Sequence, residues 1–186
     1  METTRLKGMT SYLCGPMDRV DDGGVGWRKY ITKKLQEIGV GVFNPCDKPS
    51  SFAPEDSDTR DLIHQHKKTG RFDEASKIMK PICAVDLRMV DIAHFIVMNL
   101  DVENHLCGSY HEAFVAIGQK KPVIVRCKQG KEELPNWMLG VMPHEMVFST
   151  WSEVLEYLHH VNEDPDVEHL KRWRFFDFNK VYGDQV

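Results

Sequence analysis

Glu112 closes the run Gly108-Ser109-Tyr110-His111-Glu112, where a helix is expected to start just after an apolar segment. Glycine lets a ligand approach the backbone, and the free N–H groups of a helix N-terminus favour an anion. Read in that first turn and aimed at a cleft, Glu112 is expected to have its pKa lowered by the helix dipole. An ionised carboxylate there suits a nucleophile or a stabiliser of positive charge. From spacing alone the better fit is a solvent-facing glutamate that only favours the helix start. Asp86 and Asp91 lie on a helical stretch before the apolar segment. Asp86 follows the apolar Ile82–Val85 and either reaches the same cleft from the side or pairs outside with Arg88 or Lys80. Tyr12 alternates with Leu13. It either serves the cleft or is a core tyrosine whose hydroxyl meets backbone.

Metal chemistry has a weaker basis. His105, Cys107 and His111 are the nearest approach to a ligand cluster, and a fourth ligand at a credible spacing is missing. No metal and no cofactor is expected. The five cysteines are odd in number, scattered and without a CxxC, which argues against a disulfide framework and for a reducing, cytoplasmic setting. A net charge of −4 argues against a nucleic-acid polymer as partner. No apolar run approaches the roughly 20 residues that span a bilayer, and METTRLKGMTSYLCG lacks the apolar core of a signal peptide.

The elements that must position these residues follow from periodicity. In a chain of 186 residues, one domain is expected over 1–186. Thr10–Cys14 reads as a strand stopped by Gly15-Pro16, and Trp27, Tyr30, Ile31, Leu35 and Ile38 recur at helical spacing up to Gly39. Val40–Phe43, Phe95–Leu100 and Pro122–Arg126 read as further strands, the middle one apolar enough to be covered on both faces. Residues 48–71 read as a long connection with one short helix near Thr59–Lys68. Phe72–Val90 reads as helical, kinked or broken at Pro81. Gly108–Gly118 and Trp151–His159 complete the helices, and residues 172–186 form an aromatic tail expected to dock. Strands alternating with helices predict an α/β fold, a single-domain flavodoxin-like or Rossmann-like three-layer sandwich with a mostly parallel sheet of about five strands. Ligands in such sheets bind beyond the carboxyl ends of the strands. That directs attention to Gly15, Pro16, Met17 and Asp18, to Asp101–Ser109, and to the segment after Arg126.

Taken together, Tyr-Leu-Cys-Gly-Pro-Met, Trp27, Leu35, Gly39, Val42-Phe43-Asn44-Pro45, Asp86 before FIVMNLD, Gly108-Ser109-Tyr110-His111-Glu112-Ala113 and GQKKP resemble the nucleoside 2-deoxyribosyltransferase family. Its superfamily includes deoxynucleoside 5′-monophosphate N-glycosidases. The resemblance runs from Ser11 to about His160. It implies an oligomer that completes its sites across subunits, acting on a nucleoside or nucleotide and a free nucleobase. By resemblance, Glu112 falls on the nucleophile, Tyr12 on the tyrosine that holds it, and Asp86 on the acid that exchanges a proton with the base. Leu134-Pro135-Asn136-Trp137-Met138 resembles a segment lent by a neighbouring subunit, with Asn136 and Met138 on its sugar contacts. The aromatic Phe176-Asp177-Phe178 is similar to the family's C-terminus. Two carboxyl groups with pKa values pushed apart are what such chemistry requires.

The chain departs from that pattern in places. A second base-contacting Asp before the helix start is replaced by Asn104, His105 and Leu106, leaving Asp101 as the nearest aspartate. His94 stands where relatives often carry an Asp, and residues 48–71 exceed the usual connection. Residues 181–186 extend past the aromatic tail. Arg19, Gly23 and Gly24 offer a hold for a 5′-phosphate, which is the hydrolase alternative, with Ser109 a partial substitute for the phosphate-binding serine. A non-catalytic nucleotide-binding module is the alternative of another class. A phosphoribohydrolase ranks below both, because the double-glycine approach to the turn is missing.

Overall fold

The computed structural model describes residues 4–18, 20–49, 52–163, 172–176 and 180. In chain order the elements are β1 (Thr10–Cys14), α1 (Val25–Glu37), β2 (Gly41–Phe43), α2 (Ser57–Lys68), α3 (Phe72–Ile92), β3 (Phe95–Leu100), α4 (Cys107–Gly118), β4 (Val123–Cys127), α5 (Asn136–Val141), β5 (Val147–Phe148) and α6 (Trp151–Glu163). The five strands pair in the order β2-β1-β3-β4-β5, and every pairing is parallel. This is the flavodoxin-like order, in which the chain reverses direction across the sheet between β1 and β3 and opens a crevice at their carboxyl ends. All six residues of β3 are buried, as the unbroken apolar run requires of a strand covered on both faces.

Helices cover both faces. Trp27 of α1 stacks on Trp151 of α6, with ring centroids 5.6 Å apart, while α3 packs against α4. In the described part of the aromatic tail Trp173 is buried, lies 5.0 Å from the Phe95 ring and donates its indole N–H to the Tyr157 hydroxyl at 3.1 Å, whereas Phe175 and Phe176 are exposed. Asp177, Phe178 and residues 181–186 lie outside the described residues. Among the described residues no helix is long and apolar enough to cross a membrane.

The helix expected near Thr59–Lys68 is present as the 12-residue α2, capped by Asp56, whose carboxylate accepts the Thr59 N–H at 2.8 Å. Ile63 packs with Ala75 and Ile82 in a small core separate from the main one, with Gly70 at φ 74° turning the chain between α2 and α3. Pro81 does not break α3, which runs unbroken for 21 residues. Pro81 and Lys77 are both exposed, so the Lys77 carbonyl deprived of its helical donor meets water.

A candidate active site at the carboxyl ends of β1 and β3

A cavity of about 540 Å³ lies at the crevice between β1 and β3. The volume is in the usual range for a small-molecule site. The sheet and α4 contribute Tyr12, Gly108, Ser109 and Glu112. The β1–α1 loop contributes Gly15, Pro16, Met17 and Asp18, and α3 contributes Asp86. The far wall is the α2–α3 hairpin, through Thr59, Arg60, Ile63, His64, Lys67, Phe72 and Met79.

At its floor the Tyr12 hydroxyl donates to Glu112 Oε1 at 3.0 Å, joining β1 to α4 across 100 residues. Burial, followed by the neighbouring Glu112 charge, holds the Tyr12 hydroxyl well above its ordinary pKa, so it stays a donor. The buried Cys14 thiol donates to the Ser109 carbonyl at 3.1 Å, pinning the start of α4 to β1. Glu112 differs from expectation. The helix begins at Cys107, so Glu112 falls in the second turn, outside the reach of the terminal N–H groups. Burial raises its pKa, opposed by the neighbouring Cys14 thiol, the Tyr12 hydrogen bond and the charge of Arg28. Asp86 is 6% exposed. Its Oδ1 lies 2.8 Å from Lys48 Nζ, and the same ammonium lies 3.0 Å from Glu55 Oε2. Burial first, then Glu55, raise the Asp86 pKa to about 7 against the opposing pull of Lys48.

Arg28 is a residue that sequence reasoning missed. Its guanidinium is buried and donates to the carbonyls of Gly15 (2.8 Å), Gly24 (3.0 Å) and Pro16 (3.2 Å). It thus sets the loop that forms one lip of the cavity. A charged residue on an amphipathic helix reads as solvent-facing, yet Arg28 shares a stripe with Ile31 and Leu35 at i+3 and i+7. Tyr30, which recurs at the same helical spacing, is exposed. Gly15 admits no side chain: a Cβ would lie 2.8 Å from the Trp27 ring and 2.9 Å from the Asn99 carbonyl.

Four sequence candidates do not line the cavity. Asp91 is exposed and accepts from Gln119 at 2.6 Å. Five residues along an α-helix carry it about 7.5 Å past Asp86 and onto another face. Met138 is fully buried in the core of its own chain, whereas Asn136 is exposed. Asp101 is buried and ties two loops together. It accepts from Glu103 N–H, Asn104, Lys128 (2.8 Å) and Gln129 (2.6 Å). Gly23 and Gly24 do not offer an anion hold either. Gly23 N–H is taken by the Val20 carbonyl, and the Asp22 carboxylate accepts Gly24 and Gly26 N–H, both at 2.8 Å. Arg19 lies outside the described residues.

Burial alone would raise the Asp101 pKa, but Lys128, Gln129, Asn104 and the Glu103 N–H override it and bring it to about 2. Asp101→Asn is therefore expected to cost about 2 kcal/mol at neutral pH. The native carboxyl is depressed, so this stability is complete above the ordinary aspartate range and disappears as pH falls toward 2. Urea denaturation of both proteins at neutral and acid pH checks it; equal stabilities at neutral pH would refute the tie.

No protein-family model and no curated protein matches the chain. Among solved structures, it is similar to a 2-deoxyribosyltransferase from the psychrotolerant bacterium Bacillus psychrosaccharolyticus. The TM-score is 0.53 at 19% sequence identity, over 80% of this chain and 91% of that one. At that identity the likeness is one of fold.

Proposed function

We propose that the chain cleaves the N-glycosidic bond of a 2′-deoxynucleoside through Glu112 and passes the sugar to another nucleobase or to water. The observation that carries this reading is the 3.0 Å hydrogen bond from Tyr12 to Glu112 Oε1 on the wall of a cavity that Asp86 also lines. Tyr12 fixes one carboxylate oxygen and leaves Oε2 for the anomeric carbon. As the C1′–N bond breaks, its electron pair goes to the base, and Asp86 delivers a proton to the base nitrogen. Positive charge on the sugar is met by Glu112, which bonds to C1′. An acceptor base or water then attacks C1′, Asp86 takes back the proton, and Glu112 leaves. Tyr12, kept protonated, cannot compete as a nucleophile. The solved 2-deoxyribosyltransferase of like fold agrees with this class of reaction.

Exposed Trp137 and Leu139 on α5, beside exposed Asn136, support a homo-oligomer in which this helix meets a second subunit. A second reading, hydrolysis of the 5′-monophosphate, is favoured by one observation: α2 turns Arg60, His64 and Lys67 toward the cavity at i, i+4 and i+7.

The experiment is incubation with a panel of deoxynucleosides and their 5′-monophosphates, with and without adenine, followed by chromatography. Free nucleosides are expected to release base and, with adenine, to yield exchanged product. No base release from any substrate would end the proposal. Where the monophosphate is cleaved, Lys67→Ala is expected to shift preference toward the free nucleoside by about tenfold, equivalent to one charge-assisted contact.

A further inference from the structure

Asp86 does not stand alone, and neither partner that holds it was visible in the sequence pattern. Lys48 Nζ lies 2.8 Å from Asp86 Oδ1 and 3.0 Å from Glu55 Oε2, and its side chain is only 3% exposed. A buried ammonium needs charge compensation, and a buried carboxylate likewise. One ammonium cannot neutralise two carboxylates, so the neutral state of the trio carries one extra proton on the acids. Both partners come from the connection between β2 and α2, the segment that departs from the resembling family. Glu55 precedes the Asp56 cap of α2, so the helix that walls the cavity also brings in Glu55.

We propose that Lys48 and Glu55 are positioning residues for a transferable proton on Asp86: Glu55 keeps the proton there by supplying the second negative charge, while Lys48 fixes Oδ1 so that Oδ2 faces the base and favours the proton's departure. The inference rests on the glycosidic reading for its use, but the trio exists independently of it. After the proton moves from Asp86 Oδ2 to the departing base nitrogen, the new carboxylate is held by Lys48. The attacking base or water returns a proton to the same oxygen, so the trio ends each turnover unchanged. Glu112 of α4 and Tyr12 of β1 also face Asp86 electrostatically, as does Cys83 on its own helix. Tyr12 and Cys83 have raised pKa values and stay neutral, so Lys48 and Glu55 are the groups to vary with Glu112 kept intact.

The test follows the Asp86 carboxyl by carbon NMR in aspartate-labelled full-length protein, with Asp86→Asn identifying the resonance, alongside pH profiles of base release. Glu55→Gln keeps the shape and removes a negative charge. It is expected to lower the Asp86 midpoint by about one pH unit or more, and Lys48→Met to raise it by a similar amount. The high-pH limb of base release is expected to move in the same directions. Unchanged Asp86 midpoints in both variants would overturn the proposal. Should Lys48→Met not fold, an unmoved midpoint in the isosteric Glu55→Gln overturns it alone. Midpoints that move in a protein that releases no base would uphold the trio and refute the glycosidic reading instead.

Discussion

Glu112→Gln is expected to lower base release and exchange by at least about 10³-fold, as loss of a nucleophile and its charge should. Fold and oligomeric state are expected to stay unchanged, and thermal stability at neutral pH to rise. The two effects have one origin. Burial raises the Glu112 pKa above its unfolded value, so the native state binds more protons than the unfolded chain between those two values. Stability therefore falls as pH rises through that window, and the ionised carboxylate is a net penalty above it. Glutamine removes the penalty and still accepts from the Tyr12 hydroxyl. The gain in melting temperature should be present at neutral pH and vanish below the ordinary carboxylate range. Turnover assays and melting curves at both pH values check it. Full activity in this variant would remove Glu112 from the chemistry, and reduced stability at neutral pH would show that the carboxylate is not a strained group.

Asp86→Asn is expected to reduce turnover by about 10²–10⁴-fold, the usual range for loss of a general acid. The loss should be largest for bases that leave poorly without a proton. In the unaltered protein Asp86 must be protonated to act. Its pKa, raised to about 7 by burial and then by Glu55 against the pull of Lys48, makes activity decline as pH rises through neutrality. The residual activity of Asp86→Asn should lack that limb. Stability carries the same signature. A carboxyl raised in the fold favours the native state below its unfolded pKa, and that advantage is lost as pH rises toward 7. Asp86→Asn should flatten this slope, measured by urea denaturation across the same range. An identical pH–rate profile in the variant would assign the acid elsewhere.

Much of this frame was legible along the chain. Thr10–Cys14 and Phe95–Leu100 form strands with the bounds their apolar patterns predict. Gly15-Pro16 ends β1, and the turn before α4 delivers Gly108, Ser109 and Glu112 to the crevice. These features are local, because side-chain period and turn chemistry act over a few residues. Legibility failed where a distant partner decides. Arg28 reads as a solvent-facing helix charge until the carbonyls of Gly15, Pro16 and Gly24 surround it. Asp101 reads as a candidate base contact until Lys128 and Gln129, 27 and 28 residues away, take its oxygens. Met138 belongs to a segment that resembles a lent loop, yet its side chain fills its own core.

By itself the sequence determined the alternation of strands and helices, hence a parallel sheet with a ligand crevice at its carboxyl edge, and it determined which carboxyl groups stand near that edge. Only the tertiary structure decided which of them share a cavity and in what protonation state. Glu112 changed from a carboxylate eased by a helix end to one strained by burial, and Asp86 from a helical acid with either the cleft or Arg88 or Lys80 beside it to a member of a charged trio with Lys48 and Glu55. The reason is physical: a helix or strand follows from short-range sterics and periodicity, whereas a pKa depends on the desolvation and charge that residues far along the chain bring to one point.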